Sequence, residues 1–470
     1  MKFRKALFSD IRFWIIIFFV IRLYGITNPP LEVTHSWRQV TVNMVARNFL
    51  EIDANILYPR VDDNHGATGI IGMEFPALSY LIYLFSLVFG YGHFYGRLIN
   101  LIVSSIGTYY FYLLILRFVN SKTAFFSTIF LLSSIWFAFS RKAMPDAFST
   151  SLMIIGMYYG LIYLFDDKKT YIILYFIFTL IGVLSKIPAA YLAVIYSVPF
   201  FDKVINIKKK IIFVSATLPI VFIVYWWYFV WNIHLSEVYG MWYNTGKSFK
   251  DGFTDIFSNL NVVAESFYYN GLRAYSSFIV FITGLFLMIY NKHKKILIIF
   301  AILSLSFILY IFKSGIFFIQ NSYYIIPYVP VMALICGYAI SKIKLNKLAI
   351  FLIVLISVEG IAQQQHDFRI KKRYLYKMDL ENIANKVTNS SDLIIINGGD
   401  NPQELYMSHR KGWTITNDKL VDNSFINNAK QLGAKYLFVN KTDFKDSITT
   451  YKLIKDFEFY LVYNLGSVMK

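Results

Sequence analysis

The sequence predicts a mainly α-helical, polytopic membrane protein with about eleven transmembrane helices and a small α/β domain in its C-terminal part. First, 57% of its 470 residues are hydrophobic and 16% are charged, whereas soluble domains have about 25% charged residues. Second, apolar stretches of about 15–20 residues recur from Ile11 to Ile361, and a bilayer core requires helices of about this length. Third, these stretches lack the period-two alternation of membrane β-strands.

Lysine and arginine predict how the helices are oriented. Lys2, Arg4 and Lys5 precede the first apolar stretch, so the positive-inside rule keeps the N-terminus in the cytoplasm and makes residues 27–76 an outer loop. Later basic turns agree with this orientation if the short apolar stretch 76–89 is interfacial or re-entrant rather than spanning. The formal charge of +18 therefore reflects orientation, and we expect no nucleic acid as a partner.

One basic cluster does not fit this orientation. Arg369, Lys371, Lys372 and Arg373 follow the last apolar stretch on the predicted outer side. Basic residues near the end of a helix normally mark the cytoplasmic side. Two explanations stay open: the cluster contacts lipid phosphates, or the last helix is miscounted.

The C-terminal part changes from a membrane-like to a soluble composition. The apolar runs Leu393–Ile396 and Tyr436–Asn440 predict strands, and the glycines and asparagine between 398 and 401 predict a turn before a short helix. We therefore divide the chain into a transmembrane domain, 1–365, whose first outer loop carries an amphipathic helix, and a soluble extracytoplasmic α/β domain, 375–470.

Ionisable residues gather in the segments on the predicted outer side. Because charges inside a bilayer are costly, such residues are either functional or simple anchors at helix ends. Cations can hold a lipid-linked phosphate, and a carboxylate can take a proton from an attacking hydroxyl. The candidates are Glu32, His35, Arg38, Glu74, Arg97, Asp146 and Lys186, with Tyr324 as a further candidate for substrate contact.

Each candidate also has a simpler interpretation. Asp146 is suited to cap the helix that follows it, and Arg97 and Lys186 can reach lipid headgroups from helix ends. His35 is equally typical of an ordinary loop, since no paired-histidine spacing accompanies it. Tyr324 fits the aromatic belt at a membrane interface.

The order and spacing of the polar motifs resemble the GT-C class of membrane glycosyltransferases. The motifs are His35-Ser36-Trp37-Arg38-Gln39, Ala46-Arg47-Asn48-Phe49, Glu74-Phe75-Pro76, Arg97, Met144-Pro145-Asp146 and Lys186. The resemblance is particularly to the bacterial aminoarabinose transferases, the protein O-mannosyltransferases and the Rgt-type lipopolysaccharide glycosyltransferases. It covers about the first 190 residues well and the rest mainly through topology.

This resemblance implies the transfer of a single sugar, with inversion, from a polyprenyl-phosphate donor to a lipid, glycan or protein acceptor. It implies a bacterial cytoplasmic membrane with the site on its outer face. Asp146, Glu74 and Lys186 match positions of the family's motifs. A divalent metal ion is a further implication, with Asp146 and Glu74 as candidate ligands, because some relatives use one.

The identity of the catalytic base stays open among three carboxylates. Relatives often carry an acidic residue directly ahead of the first-loop helix, whereas here the helix is preceded by Trp37-Arg38-Gln39-Val40-Thr41. The nearest carboxylate is Glu32, so we expect Glu32 to be the base and Asp146 its supporting or metal-binding partner, with Glu74 as the alternative. This chemistry requires the carboxylates and cations of the outer segments to meet in one pocket.

Two other classes of function fit the composition. A transporter or flippase for lipid-linked sugars is also polytopic and basic, but such proteins often have repeated halves with broken helices, and no internal repeat is evident in the sequence. A polymerase or ligase of lipid-linked saccharides extends a chain instead of adding one residue. The C-terminal domain has no recognisable nucleophile or phosphate loop, so we expect it to contact the acceptor or to support the fold.

Overall fold

The computed structural model describes residues 8–166, 168–240, 246–446 and 448–468, so the predicted N-terminal anchors Lys2, Arg4 and Lys5 lie outside the described residues. The chain forms two compact units. The membrane unit comprises the described parts of Met1–Ile26, Arg97–Val230 and Asn244–Phe368. The α/β unit comprises the described parts of Thr27–Gly96, Trp231–Tyr243 and Arg369–Lys470.

The membrane unit is built from apolar helices. Their α-helical segments are Ile11–Arg22, Tyr95–Phe118, Ser121–Ser133, Trp136–Phe139, Pro145–Phe165, Tyr171–Ser185, Ser197–Phe201, Ile207–Trp226, Phe249–Ser258, Leu260–Glu265, Tyr275–Tyr290, Lys294–Ser314, Ile316–Gln320, Val329–Ser341 and Asn346–Ala362. Shorter 3₁₀ segments are Ile187–Tyr196, Ser322–Tyr328 and Gln365–Phe368. On Tyr275–Tyr290, six large side chains are exposed, among them Ile279, Phe286 and Ile289, as expected of a surface that faces lipid.

Among the described residues, five helices are long and apolar enough to cross a membrane, or six if one bent pair counts as a single span. The five are Tyr95–Phe118, Pro145–Phe165, Ile207–Tyr239, Lys294–Ser314 and Ser322–Ser341. The bent pair, Leu260–Asn270 and Tyr275–Tyr290, turns through 93° at its break. The protein is therefore a multi-pass membrane protein, and the count of eleven helices stays a prediction.

Small residues allow the helices of the membrane unit to pack closely. The helices Pro145–Phe165 and Tyr171–Ser185 meet at Gly156, where a Cβ atom would lie 2.9 Å from the backbone nitrogen of Thr179. Gly107 of Tyr95–Phe118 makes a similar approach to Ser151. Without a hydrophobic driving force between helices in lipid, such small-residue contacts let van der Waals packing hold the helices together.

The α/β unit contains a five-stranded sheet with the order β2-β1-β3-β5-β4. Its strands are β1 Leu393–Ile396, β2 Lys411–Thr414, β3 Ala434–Asn440, β4 Tyr451–Asp456 and β5 Tyr460–Val468. The first three strands pair in parallel, and β5 pairs antiparallel with β3 and with β4. The predicted small α/β region is confirmed.

Helices of the α/β unit come from three separate parts of the sequence. They are Ser36–Glu51, Ala77–Phe89, Asn232–Tyr239, Leu380–Val387, Gln403–Met407, Asn417–Leu420 and Asn423–Gln431, with the 3₁₀ segment Lys372–Asp379. The helix Ala77–Phe89 has 13 residues, which extend over about 20 Å and fall short of a hydrocarbon core of about 30 Å.

The first-loop helix, Ser36–Glu51, lies in the core of this unit. Val40, Met44 and Phe49 share one buried cluster with Ile394 and Ile396 of β1. The sequence predicts an amphipathic helix against the membrane surface, but every residue from Gln39 to Phe49 except Thr41 is buried. The physical reason is that the C-terminal sheet and the helix Ala77–Phe89 pack around it. The division at residues 365 and 375 stays a prediction, although residues 27–96 pack with the C-terminal segment.

Candidate functional site

In the membrane unit, Asp146 lies at the N-terminal end of the helix Pro145–Phe165. Met144 is the N-cap residue, Pro145 occupies the first helical position, and Asp146 belongs to the first turn. The expected alternative, in which Asp146 itself caps the helix, is therefore wrong. Asp146 is 4% exposed, and a carboxylate in the first turn is stabilised by the positive end of the helix dipole.

Lys186 and Tyr324 lie together near Asp146. Lys186 Nζ is 5.8 Å from the ring centre of Tyr324, and this ring stacks on Tyr310 with 6.2 Å between centres. Tyr310 in turn interacts electrostatically with Asp146. The backbone carbonyl of Lys186 also accepts a hydrogen bond from Ser149, one turn after Asp146 on the same helix. The membrane unit therefore brings three of the predicted site residues into one neighbourhood, with Tyr310 as a member that the sequence did not indicate.

Arg97 belongs to the same end of the membrane unit. It is the third residue of the helix Tyr95–Phe118 and is 1% exposed. Asn100, three residues later and so on the same face, donates hydrogen bonds to the carbonyls of Lys142 and Met144 at 2.7 and 3.2 Å. These bonds hold the first turn of the Arg97 helix beside the segment that leads to Asp146.

A buried ion pair that sequence reasoning missed lies in this segment. Lys142 Nζ is 3.1 Å from Asp367 Oδ1, and both side chains are almost fully buried. Arg141 places its guanidinium 4.3 Å from the ring centre of Phe368, and Asp367 interacts electrostatically with Arg273. The available signal was a carboxylate five residues after the apolar helix Asn346–Ala362, but its partner is more than 200 residues away.

In the α/β unit, Arg38 and Glu74 form an ion pair with both side chains mostly buried. His35 precedes the first-loop helix with φ 55° and ψ 37°, a left-handed conformation that histidine adopts more readily than most residues. This backbone turn sets where the helix begins, and thereby where Arg38 meets Glu74. The predicted substrate-binding residues His35 and Arg38 thus lie three residues apart in the sequence. Arg38 also contacts the predicted catalytic carboxylate of Glu74.

Glu32 is 1% exposed, and its segment is fixed by the C-terminal part of the α/β unit. Its backbone forms an antiparallel bridge with Ile370. Two residues earlier, the carbonyl of Pro30 accepts a hydrogen bond from Gln403 Nε2 at 3.0 Å. Lys377 contacts the same side chain, since its ammonium donates a hydrogen bond to Gln403 Oε1 at 3.0 Å. It also forms an ion pair with the carboxylate of Glu404.

A second buried polar group stabilises the first loop. Arg47 Nη2 lies 2.6 Å from Asp62 Oδ2, and Asn48 donates to the other oxygen of Asp62 at 3.0 Å. Burial lowers the pKa of Arg47, but the Asp62 carboxylate, together with Tyr406 and Tyr91, raises this pKa by more than burial lowers it, so the net shift is upward. Arg47 also stacks on the ring of Tyr406 at 4.5 Å. These contacts explain the Ala46-Arg47-Asn48-Phe49 motif by folding rather than by substrate contact.

The described residues do not group as a protein metal site requires. No three histidine, cysteine, aspartate or glutamate side chains in the described part of the chain lie close enough together to hold a metal ion. Asp146 and Glu74, the two predicted ligands, belong to different units. A divalent metal ion stays a prediction.

The sequence matches one family. Residues 74–229 match the profile of the dolichyl-phosphate-mannose-protein mannosyltransferase family. A comparison with curated protein sequences found no significant match.

Several solved structures share the fold. ArnT from Cupriavidus metallidurans in the apo state is 11% identical with a TM-score of 0.63, over 96% of this chain and 97% of ArnT. ArnT bound to undecaprenyl phosphate is 10% identical with a TM-score of 0.59, over 96% of this chain and 98% of ArnT. The oligosaccharyltransferase AglB from Archaeoglobus fulgidus, in complex with an inhibitory peptide and a dolichol-phosphate, is 13% identical with a TM-score of 0.55, over 91% of this chain and 69% of AglB.

The predicted resemblance to the GT-C class of membrane glycosyltransferases is confirmed by these matches.

Proposed function

We propose that this chain, with its GT-C fold, is an inverting glycosyltransferase that moves one sugar from a polyprenyl-phosphate donor to a lipid, glycan or protein acceptor. The proposed location is the outer face of the bacterial cytoplasmic membrane. Support comes from the matching family, whose name refers to a lipid-phosphate sugar. It also comes from ArnT, which has been seen with undecaprenyl phosphate.

The observation that carries the proposal is the excess of buried cations in the membrane unit. Among its described residues, five buried cations accompany two buried carboxylates: Arg22, Arg97, Arg141, Lys142 and Arg273, with Asp146 and Asp367. Ionisable groups buried at membrane depth are costly and usually serve a substrate pathway. A net positive interior suits an anionic substrate, because phosphate oxygens accept charge-assisted hydrogen bonds from several cations at once.

The proposed reaction is a single displacement. An acceptor hydroxyl attacks the anomeric carbon of the sugar while the bond from that carbon to the phosphate oxygen breaks, so the configuration inverts and polyprenyl phosphate leaves. Glu32 takes the proton from the attacking hydroxyl. Arg97 and Lys186 neutralise the charge that develops on the phosphate. Asp146 orients the sugar.

The remaining predicted residues have positioning roles in this proposal. Arg38 and Glu74 form an ion pair, which orders the start of the first-loop helix behind Glu32, and Glu74 is the alternative base. His35 turns the backbone into that helix. Tyr324 presents a ring beside Lys186, where an aromatic face suits the apolar side of a sugar or an isoprenoid.

The test is to incubate the purified full chain with a panel of polyprenyl-phosphate sugars and to follow polyprenyl phosphate release by mass spectrometry. Glu32→Gln and Asp146→Asn should each lower turnover by about 10²–10⁴-fold, with expression and membrane insertion unchanged. Glu381→Gln is the matched control, because this carboxylate is exposed in the α/β unit, and it should keep wild-type turnover. Full activity in both site variants removes the catalytic assignment.

The same assay separates the rival functions. Turnover of a nucleotide sugar alone overturns the donor class. Stepwise growth of a saccharide indicates a polymerase or ligase. The helix pair bent by 93° is one feature that transporters also have, and movement of intact lipid-linked sugar across proteoliposomes without release of polyprenyl phosphate would indicate a flippase.

A further inference from the structure

A basic segment of the α/β unit lies exposed shortly after an apolar helix. Arg369, Lys371, Lys372 and Arg373 follow the helix Asn346–Ala362 by seven to eleven residues. All four side chains are exposed. Within the described chain, none of the four forms an ion pair with a carboxylate. Arg373 donates a hydrogen bond to the hydroxyl of Tyr374 at 3.0 Å. The segment therefore presents concentrated positive charge to its surroundings.

Apolar side chains extend this exposed surface. Lys372, Leu375 and Met378 are spaced by three residues in the 3₁₀ segment Lys372–Asp379, so they align in one row. Leu375 is 43% exposed and Met378 is 50% exposed. A row that carries one cation and two large apolar side chains is typical of a surface at the boundary between headgroups and acyl chains.

The other rows of the same segment are anchored in the protein. Lys377 is buried and pairs with Glu404 at 2.6 Å. Tyr376 stacks on Phe459 with 4.8 Å between ring centres. Because these contacts hold the segment in place, the exposed row is presented in a fixed orientation and is not a frayed connection between two units.

We propose that residues 369–378 bind anionic phospholipid headgroups at the membrane surface. The four cations donate charge-assisted hydrogen bonds to lipid phosphates, while Leu375 and Met378 insert between the headgroups. The closeness of the segment to the end of an apolar helix keeps it within reach of the bilayer surface. The expected ligand is bulk anionic phospholipid, because the exposed apolar side chains of Leu375 and Met378 beside these cations suit the headgroup layer of a bilayer rather than one soluble phosphate.

The experiment measures hydrogen–deuterium exchange of the full chain in nanodiscs of phosphatidylglycerol and of phosphatidylcholine. Each cation near an anionic surface should strengthen the association of the segment with that surface roughly fivefold. Amides of residues 369–378 should therefore exchange at least about fivefold more slowly in phosphatidylglycerol, and raising the salt concentration should reduce this protection.

Two variants with the same change of charge locate the effect. In the first, Arg369, Lys371, Lys372 and Arg373 are replaced by glutamine, and the protection by phosphatidylglycerol should disappear. In the control, four exposed lysines elsewhere in the α/β unit are replaced by glutamine, and the protection should remain; they are Lys419, Lys445, Lys452 and Lys455. The salt titration uses the unaltered chain, so the proposal stays testable if the first variant does not fold.

Three outcomes overturn the proposal. Equal exchange in the two lipids shows that the cations do not recognise headgroup charge. Loss of protection in the control variant shows that net charge matters and this segment does not. Protection that requires added polyprenyl phosphate, in nanodiscs of either lipid, assigns the segment to the donor instead of to bulk lipid. None of these measurements depends on sugar transfer, so they are independent of the proposed activity.

Discussion

Replacing Asp367 with asparagine should destabilise the protein more than replacing Lys142 with methionine. Lys142 Nζ lies 3.1 Å from Asp367 Oδ1, with side-chain exposures of 0% and 1%, and Asp367 also interacts with Arg273. Asp367→Asn therefore removes a negative charge that compensates the positive charges of two buried side chains, Lys142 and Arg273. Lys142→Met removes one of those cations and leaves Asp367 beside Arg273.

The magnitude follows from burial. Breaking a buried ion pair costs about 3–5 kcal/mol, because a charge remains in the interior without its partner. We expect this loss in the free energy of unfolding for Asp367→Asn and about half of it for Lys142→Met. With an unfolding entropy of about 2.1 cal/mol/K per residue, the 470-residue chain should lose about 3–5 °C in Tm on Asp367→Asn. The double variant Lys142→Met/Asp367→Asn should lose less than the sum of the two single losses.

The assay is thermal unfolding of the purified full chain in one detergent at one heating rate, since such unfolding is commonly irreversible. Tryptophan fluorescence reports the transition. Lys441→Met is the matched control, because Lys441 pairs with Asp456 at 2.7 Å and the two side chains are 31% and 62% exposed, and solvent-exposed pairs contribute at most about 1 kcal/mol. An Asp367→Asn protein that unfolds at the wild-type temperature, or no lower than Lys441→Met, would refute the reasoning from burial.

Three further predictions concern single contacts. Gln403→Leu should lower the free energy of unfolding by about 1–3 kcal/mol, since it leaves the buried carbonyl of Pro30 without its donor. It should also lower the rate of sugar transfer. Tm and turnover measure the two effects, and Gln403→Glu should restore neither. His409→Ala should remove a pH dependence of Tm, because a hydrogen bond to Glu51 raises the pKa of His409. Gly156→Val should destabilise the membrane unit by about 1–3 kcal/mol or more, since a side chain there overlaps the neighbouring helix; Tm in detergent measures it.

The sign of the His409 effect follows from linkage. A histidine whose pKa is raised by folding stabilises the folded state fully at pH values below its unfolded pKa of about 6.5. The stabilisation is lost as the pH rises through the folded-state pKa. His409 bridges Glu51 and Glu381 at 2.9 and 2.8 Å, but all three side chains are at least 36% exposed. As the pH rises through this pKa, the wild-type protein should therefore lose less than about 1 kcal/mol in its free energy of unfolding, seen as a small fall in Tm. The His409→Ala variant should show no such fall.

Sequence patterns predicted the local structure well where a single physical signal dominated. The stretches around Tyr95–Phe118 and Pro145–Phe165 are apolar enough to be recognised from composition alone. The strands β1 and β3 are buried and rich in β-branched or aromatic residues, so they were recognised too. The edge strand β4 was missed, because five of its six residues are exposed and three of them carry charge, so it lacks an alternating apolar pattern.

Contacts between distant parts of the sequence could not be predicted from one sequence. Nothing in the local pattern of Arg47 shows that it is buried against Asp62 and Tyr406, so the first-loop helix had the pattern of a surface helix. The pairing of Lys142 with Asp367 is equally non-local. By contrast, the expectation that Lys186 and Tyr324 contact substrate stays a prediction, although the structure places these two side chains together.

The core around the first-loop helix has a consequence for how the protein is made. Residues 27–96 leave the ribosome early, but the strands of the sheet that completes their core begin only at residue 393. At about 5–20 residues per second, translation of the intervening residues, roughly 300 in number, takes about 15–60 s. Throughout this delay Val40, Met44 and Phe49 have no strand to cover them. The apolar side chains of the first-loop helix must therefore be shielded from water and from other chains during synthesis. Chains that terminate before the sheet should be removed by quality-control proteases.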